Sequence, residues 1–396
     1  MQKRPCWLEI DTHALEENFQ LLTRLAAPHA ELMAIVKANA YGHSLALCGP
    51  AVVRAGAQWL GVTSVEEAVE ARSYCPKPRI LAIGSAFPGQ GDAVVEHRIT
   101  PVVWEQVQLD ELEQAAQRAG SAPGSLAVHL EIDTGMSRQG VTPEAMTELL
   151  ARFTPSSPLK LEGVMTHLFA ADEADGLVTA AQIERLHQAL SRITAAGLLP
   201  DWLSVGSSAA LVAGNAALLA ETAASHGMRL MLRPGLALYG VTPCFDPAFE
   251  GEEPATLVAA RNGLKPVLAW KSRVMMDVRQ IPAGAVIGYN GTFVATEPMR
   301  VALIAAGYAD GLDRHLGNHF SLLVRGQRAP LVGRVSMDHT VVDVTEIPGV
   351  LAGDEVVILG TQGAEQITAQ DHANTTGTIP WEVFTRIGMR VERVEV

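Results

Sequence analysis

Basic charge is scarce in this chain: 30 Lys and Arg stand against 43 Asp and Glu over 396 residues, a formal net charge of −13. A chain so acidic is poorly matched to nucleic acid or to an anionic membrane surface, and any anionic ligand has to be held by a local group of cations. Cysteine is scarce as well, and Cys6, Cys48, Cys75 and Cys244 show no C-x-x-C spacing. Neither a zinc site nor a disulfide framework is indicated, so no metal is expected and free thiols in a reducing compartment are. Long apolar runs are missing too. The segment Met1 to Asp11 lacks the apolar core of a signal peptide, and no stretch approaches the ~20 apolar residues of a membrane span. A cytoplasmic protein with neither nucleic acid nor membrane as partner is the expectation. Internal repeats and low-complexity tracts are absent as well.

What is present is a regular alternation. Short apolar runs at Met33 to Val36, Trp59 to Val62, Ile80 to Ile83, Thr100 to Val103, Leu126 to Ile132, Leu161 to Met165, Trp202 to Val205 and Leu230 to Leu232 read as buried strands. Amphipathic segments at Ala14 to Leu25, Val65 to Ser73, Glu105 to Ala119, Pro143 to Phe153 and Ala180 to Ala196 read as helices among them. Strands and helices in this order predict an α/β fold, an N-terminal (β/α)8 TIM barrel over residues 1–243. After a loop-like stretch, Pro243 to Pro254, the texture becomes strand punctuated by turns. Leu268 to Ile281, Arg300 to Ala306, Ser321 to Arg325, Pro330 to Val335, Thr340 to Val344 and Glu355 to Leu359 predict a mainly β C-terminal domain over 244–396. Turns are expected at Gly326-Gln327 and Pro348-Gly349, and Met228, Met231, Met275 and Met276 are expected to pack in cores.

Chemistry belongs at the carboxyl ends of barrel strands. Lys37 ends the first apolar run, where partial burial lowers an amine's pKa and makes it a candidate Schiff-base former. A lysine that merely snorkels from a strand end is the plainer account, against which Tyr41, Gly42 and His43 follow closely. Glu131, Asp133 and Arg138 follow the fifth strand and His167 the sixth. Ser207-Ser208 open a helix after the seventh, either as a phosphate-binding turn or as an ordinary N-cap. Arg233-Pro234-Gly235 follows the eighth. Lysine, phosphate turn and arginine on one rim suggest pyridoxal phosphate as cofactor, with its phosphate at Tyr41 and the Ser207-Ser208 turn. His315-x-x-x-His319 lacks the glutamate of a zinc helix and reads as a solvated turn, and Asp310 and Asp313 as a turn rather than metal ligands.

Val36-Lys37-Ala38-Asn39-Ala40-Tyr41-Gly42-His43, Asp133-Thr134-Gly135-Met136-Ser137-Arg138, Arg233-Pro234-Gly235 with Tyr239-Gly240, Gly307-Tyr308-Ala309-Asp310-Gly311 and Ser336-Met337-Asp338 occur in this order. In all of them the chain resembles the alanine racemase family, essentially end to end. The resemblance implies a pyridoxal phosphate barrel followed by a β domain, in a homodimer whose β domains complete each other's sites. It implies Lys37 as cofactor anchor and one catalytic base, and Tyr289 of the second chain as the other base. Tyr308, Met337 and Arg138 would contact substrate, Arg233 the pyridine nitrogen, and His167 would link Arg233 to Tyr289. Gly235 and Asp338 fall among the cofactor-binding and supporting positions, and D-alanine for peptidoglycan precursors is the implied product.

Three positions depart from the family. Ser207 replaces the asparagine of its phosphate turn. Trp381 stands where a tyrosine lines the cofactor phosphate and the substrate side chain. Glu131 occupies the place of a lysine that is carbamylated in many members, and a carboxylate there is expected to hydrogen-bond Arg138 directly. A serine or broad-range racemase, or a noncatalytic pyridoxal phosphate carrier, are the competing functions, the carrier disfavoured by Tyr289 and the β half.

Overall fold

The computed structural model describes residues 4–246 and 248–396. Two compact units emerge, and neither is contiguous in sequence: His13–Ala40 with Cys48–Lys265, and Met1–Thr12 with Tyr41–Leu47 and Pro266–Val396.

The first unit is a closed barrel of eight parallel strands, Ala30–Ile35, Trp59–Val62, Arg79–Ala82, Thr100–Val103, Leu126–Glu131, Leu159–Met165, Trp202–Ser204 and Arg229–Leu232, closed by pairing of the last with the first. Its strands are predominantly apolar because both faces are covered, so they lack the alternation of a half-exposed sheet. Inside the barrel, Trp59 lies between Trp202 and His129, with ring centroids 6.2 and 5.8 Å away. Arg79 forks onto Glu162 at 2.5 and 2.6 Å. His129 fits only because the facing residue is Gly163, where a Cβ would lie 2.5 Å from the imidazole. Two expected helices come out shorter. Pro143 to Phe153 yields only Thr147–Leu150, and the helix after the seventh strand breaks at Gly214 into Ser208–Val212 and Ala216–Ala224.

The second unit holds a seven-stranded sheet in which Cys6–Ile10 lies between Leu268–Arg273, antiparallel, and Glu392–Glu395, parallel. The chain's first strand, within the span 1–243 read as barrel, thus belongs to this sheet: Leu8 and Ile10 are buried in it while Trp7 and Glu9 face the other side. The segment Tyr41–Leu47 also sits here, where Arg393 Nε donates to the Gly42 carbonyl at 3.1 Å and the His43 ring stands 4.9 Å from Phe384. A three-stranded antiparallel sheet (Arg279–Ile281, Met299–Ile304, Thr340–Asp343) and a ribbon (Val286–Ile287, Phe293–Val294) complete the strands.

Several expectations need correction here. The strand expected at Pro330 to Val335 is instead Gln327–Pro330, because the hairpin turn is Arg325-Gly326, one residue early, with φ of 51° and 75° that set the tight reversal. Met228 and Met231 are buried, but Met275 and Met276 are exposed, since they follow the end of Leu268–Arg273 where the chain leaves the sheet. Asp310 lies in a turn as expected, Tyr308–Asp310, but not at its surface. It is fully buried and held by Arg4 at 2.9 Å and Arg390 at 2.8 Å. Two short helices, Ala369–Thr376 and Pro380–Thr385, and the final strand had no clear periodic signal. Among the described residues no helix is long and apolar enough to cross a membrane, and no cluster suited to a metal ion occurs.

Gly163→Ala tests the packing of the barrel interior. Forcing a methyl group against the buried imidazole should cost about 1–3 kcal/mol, read as a lowered urea midpoint with unchanged slope.

Candidate active site

Lys37 directly follows the first barrel strand and Val36, and its amine is half-buried. Burial lowers its pKa, Arg138 and Arg233 push the same way, and Glu67 opposes them. The next residues, Ala38 to Tyr41, all have φ near +50° and wind one left-handed turn. L-residues pay about 1–2 kcal/mol each in that conformation, so this is a strained segment at the place where the chemistry is expected.

Arg233 emerges from the eighth strand into a fully enclosed position. Its guanidinium donates to Ser204 Oγ at 3.0 Å and to the Thr166 carbonyl at 2.9 Å, and lies 3.5 Å from His167 Nδ1. Burial brings its pKa down to about 10, partly restored by Glu131, so it stays a cation at neutral pH. His167 is depressed to about 3, first by burial and then by Arg233, Arg138 and Lys37. A neutral imidazole follows, with a nitrogen able to accept from the guanidinium. Gln182, on the helix Leu177–Ala195, fixes this loop by donating to the His167 carbonyl at 2.9 Å and to Thr134 Oγ1 at 2.9 Å.

The expected hydrogen bond between Glu131 and Arg138 is not formed. Glu131 Oε2 accepts from Gln139 Nε2 at 2.6 Å, while Arg138 is exposed and has no hydrogen bond or ion pair among the described residues. The backbone explains the exchange. Asp133 N donates to the Val141 carbonyl and Val141 N to the Glu131 carbonyl, each at 2.9 Å, folding the loop back on the strand end. At Gly140, with φ +103°, a Cβ would lie 2.7 Å from Asp133 N, and this tight return presents Gln139 to the carboxylate. Burial raises the pKa of Glu131, with Gln139, Arg233 and Arg138 working against the shift.

Ser208 Oγ accepts from the backbone N–H groups of Gly235 and Ala237 at 3.0 and 3.1 Å, which leaves its proton for an outward acceptor. Gly235 therefore spends its amide on Ser208, and acts through it. Ser207 is the N-cap of Ser208–Val212 without a side-chain cap bond, so its hydroxyl is not engaged there. In this unit the structure brings together Lys37, Glu131, Arg138, His167, Ser207, Ser208, Arg233 and Gly235 at the carboxyl ends of the barrel strands, as expected of such a rim. Sequence reasoning missed Gln139, Ser204, Gln182 and Glu67. Only Glu67 carried a signal, the S-x-x-E pattern Ser64 to Glu67 of a helix start.

In the second unit, Tyr41 is buried and pushed up to about 12 by desolvation, so it is a phenol and not a phenolate. Tyr289 tips the Val286 to Val294 ribbon and is 67% exposed; Tyr308 and Met337 are 44% and 53% exposed. The last two are held side by side, since Tyr308 N donates to the Ser336 carbonyl and Ala309 N to the Met337 carbonyl, each at 3.0 Å. Asp338 is paired with Arg390 at 2.8 Å, and Trp381 is half-buried on Pro380–Thr385.

The residues of the rim fit pyridoxal phosphate: a desolvated amine, a serine hydroxyl oriented to donate, and an enclosed guanidinium. Comparison with known proteins agrees. The family descriptions "Alanine racemase, N-terminal domain" and "Alanine racemase, C-terminal domain" match residues 10–243 and 267–395. An alanine racemase of Symbiobacterium thermophilum is 38% identical over 392 residues, 98% of this chain and 97% of that protein. One from Sorangium cellulosum is 37% identical, covering 98% of each. The crystal structure of alanine racemase from D-cycloserine producing Streptomyces lavendulae aligns with a TM-score of 0.87 at 33% identity, covering 100% of this chain and 98% of that one. The alanine racemase of Bartonella henselae, solved with covalently bound pyridoxal phosphate, aligns at 0.81 and 27% identity, covering 99% of both chains. Matched in both halves, in order and along nearly its whole length, this chain belongs to the alanine racemase family, the pyridoxal phosphate-dependent enzymes that interconvert the two forms of alanine.

Proposed function

We propose that the chain racemises alanine by a two-base mechanism, with Lys37 on one face of the substrate Cα and Tyr289 from a second copy of the chain on the other. Bound pyridoxal phosphate supplies the electron-withdrawing ring that acidifies the Cα proton. Inversion needs a proton removed from one face and returned to the other, which one side chain cannot easily do. The desolvated amine of Lys37 carries this reading: burial and two arginines favour its neutral form, the state in which it can anchor the cofactor and accept a proton.

Arg233, held in place by Ser204 and the Thr166 carbonyl, would face the pyridine nitrogen and leave it unprotonated. A weaker electron sink follows, which favours prompt return of the proton over transamination. His167 would stand between Arg233 and Tyr289. Tyr41 and the Ser207-Ser208 turn would hold the phosphate, and Arg138, unpaired among the described residues, the substrate carboxylate. Exposure of Tyr289, Tyr308 and Met337 supports a homodimer, because three large side chains of the expected substrate set would otherwise stand in water. A cytoplasmic enzyme making D-alanine for peptidoglycan precursors fits the acidic chain and a cysteine spacing that suggests neither a zinc site nor a disulfide framework.

Borohydride reduction followed by peptide mapping should place the pyridoxyl group on the peptide containing Lys37, and recovery on another lysine would overturn the assignment. Tyr289→Phe should keep cofactor binding and lower racemisation by about a hundredfold or more. Mixing Tyr289→Phe with Lys37→Ala chains should then restore activity; no recovery after verified chain exchange would refute a shared site.

His167 gives a pH prediction. Unfolded, it takes a proton near the ordinary histidine value; folded, it resists protonation down to about 3. The unfolded state binds more protons between those values, so this group's contribution to stability rises with pH across that interval. His167→Asn should flatten the acid side of the stability profile, seen as a smaller loss of urea midpoint between pH 6.5 and 4.5.

Trp381 should narrow the space beside the substrate side chain, an indole being larger than a phenol. Trp381→Tyr should raise kcat/KM for serine relative to alanine by roughly tenfold, measured by chiral analysis of each amino acid. An unchanged ratio would show that the indole lies away from the substrate.

A further inference from the structure

The left-handed turn after Lys37 is held from outside. Within the turn, Ala40 N donates to the Val36 carbonyl at 2.8 Å. The first N–H of the turn, that of Ala38, donates at 2.7 Å to Glu67 Oε1, on the helix Val65–Tyr74. The other oxygen of the same carboxylate accepts from Thr63 N at 2.7 Å. Glu67 N in turn donates to Ser64 Oγ at 3.3 Å. One carboxylate thus ties the residue after Lys37 to the residue after the second barrel strand. Ordinary capping of Val65–Tyr74 accounts for the bonds to Thr63 and Ser64, but not for the one to Ala38.

We infer that Glu67 is a positioning residue for racemisation: its carboxylate clamps the left-handed turn and so fixes the direction in which the Lys37 amine points. The inference rests on Lys37 being the cofactor anchor and base. Two properties of the side chain act together. Its reach spans both backbone N–H groups, and its charge is the anion that opposes Arg138 and Arg233 at the Lys37 amine. Without the clamp the turn can relax toward ordinary backbone conformations, and the amine no longer meets the substrate in a reactive geometry.

Glu67→Gln and Glu67→Asp separate charge from reach. Glutamine keeps the length but can accept only through one oxygen and carries no charge. Aspartate keeps the charge but is one methylene short of bridging both amides. Glu66→Gln, on the same helical turn and bonded to Gln90 at 2.5 Å, serves as the control for a general change in helix stability. Full-length holoenzymes would be compared for kcat and KM on alanine and for thermal stability. The apo-proteins would be compared for the pH dependence of cofactor uptake, followed by absorbance.

Both Glu67 variants should lose roughly tenfold or more in kcat while KM moves little. In Glu67→Gln the acid limb of cofactor uptake should also move to lower pH, because the protonated amine has lost its anion. Glu67→Asp should leave that limb in place, and Glu66→Gln should change stability alone. If the Glu67 variants behave as Glu66→Gln does, the clamp is refuted. If borohydride trapping in the unmodified enzyme falls on a lysine other than Lys37, the functional assignment fails first, so the two failures are told apart.

Discussion

A guanidinium that keeps its proton, enclosed at the carboxyl rim of a closed barrel, sets the electrostatics of everything near it. Among the described residues Arg233 has no carboxylate in contact; its hydrogen bonds go to Ser204, to the Thr166 carbonyl and toward His167. Its positive field adds to burial in holding His167 neutral and in lowering the pKa of Lys37, and it works against burial at Glu131. Exclusion of water is thus the largest influence on the protonation of three residues from different strand ends, and Arg233 acts on all three beside Arg138. That economy suits a site that must bind an anionic cofactor and an anionic substrate in a chain whose overall charge is strongly negative.

Much of this rim was legible in the sequence. Apolar runs flanked by amphipathic segments placed the barrel strands to within two or three residues, because strands buried on both faces need continuous apolar sequence. Lys37, His167, Ser207, Ser208 and Arg233 could be placed because each stands within three residues of the end of such a run. What escaped depended on loop closure. The partner of Glu131 is decided by how tightly the chain returns at Gly140, a property of backbone conformation that strand alternation does not encode. Gln182 and Gln139 are ordinary polar residues of a helix and a loop, and only tertiary folding turns them toward the site. Glu67 shows the limit most sharply: S-x-x-E marks a helix start correctly, yet the pattern says nothing of a second oxygen reaching across to another strand end.

The β-rich unit was legible in kind and less so in detail. Its turns carried glycine and proline, so the strands between them stood out. Met275 and Met276 misled because a run of apolar letters was read past the point where the strand ends. Asp310 is the opposite case. A carboxylate in a polar-looking motif is in fact fully buried, stabilised by Arg4, Arg390 and the Gly307 amide, and it braces the loop that presents Tyr308. Arg390 also reaches Asp338, the neighbour of Met337, so the two loops offering exposed side chains share one cationic brace.

The pairing of Cys6–Ile10 with Leu268–Arg273 on one side and Glu392–Glu395 on the other bears on how the chain is made. Translation delivers this strand before the barrel and both of its neighbours after it. Every residue needed to close the barrel has been synthesised while Leu8 and Ile10 still have no sheet to enter. Closing so long a loop costs conformational entropy that only the finished sheet repays. That segment must therefore wait, apolar side chains and open strand edges exposed, until Leu268–Arg273 and Glu392–Glu395 have left the ribosome, an interval in which it is open to chaperones and to mispairing.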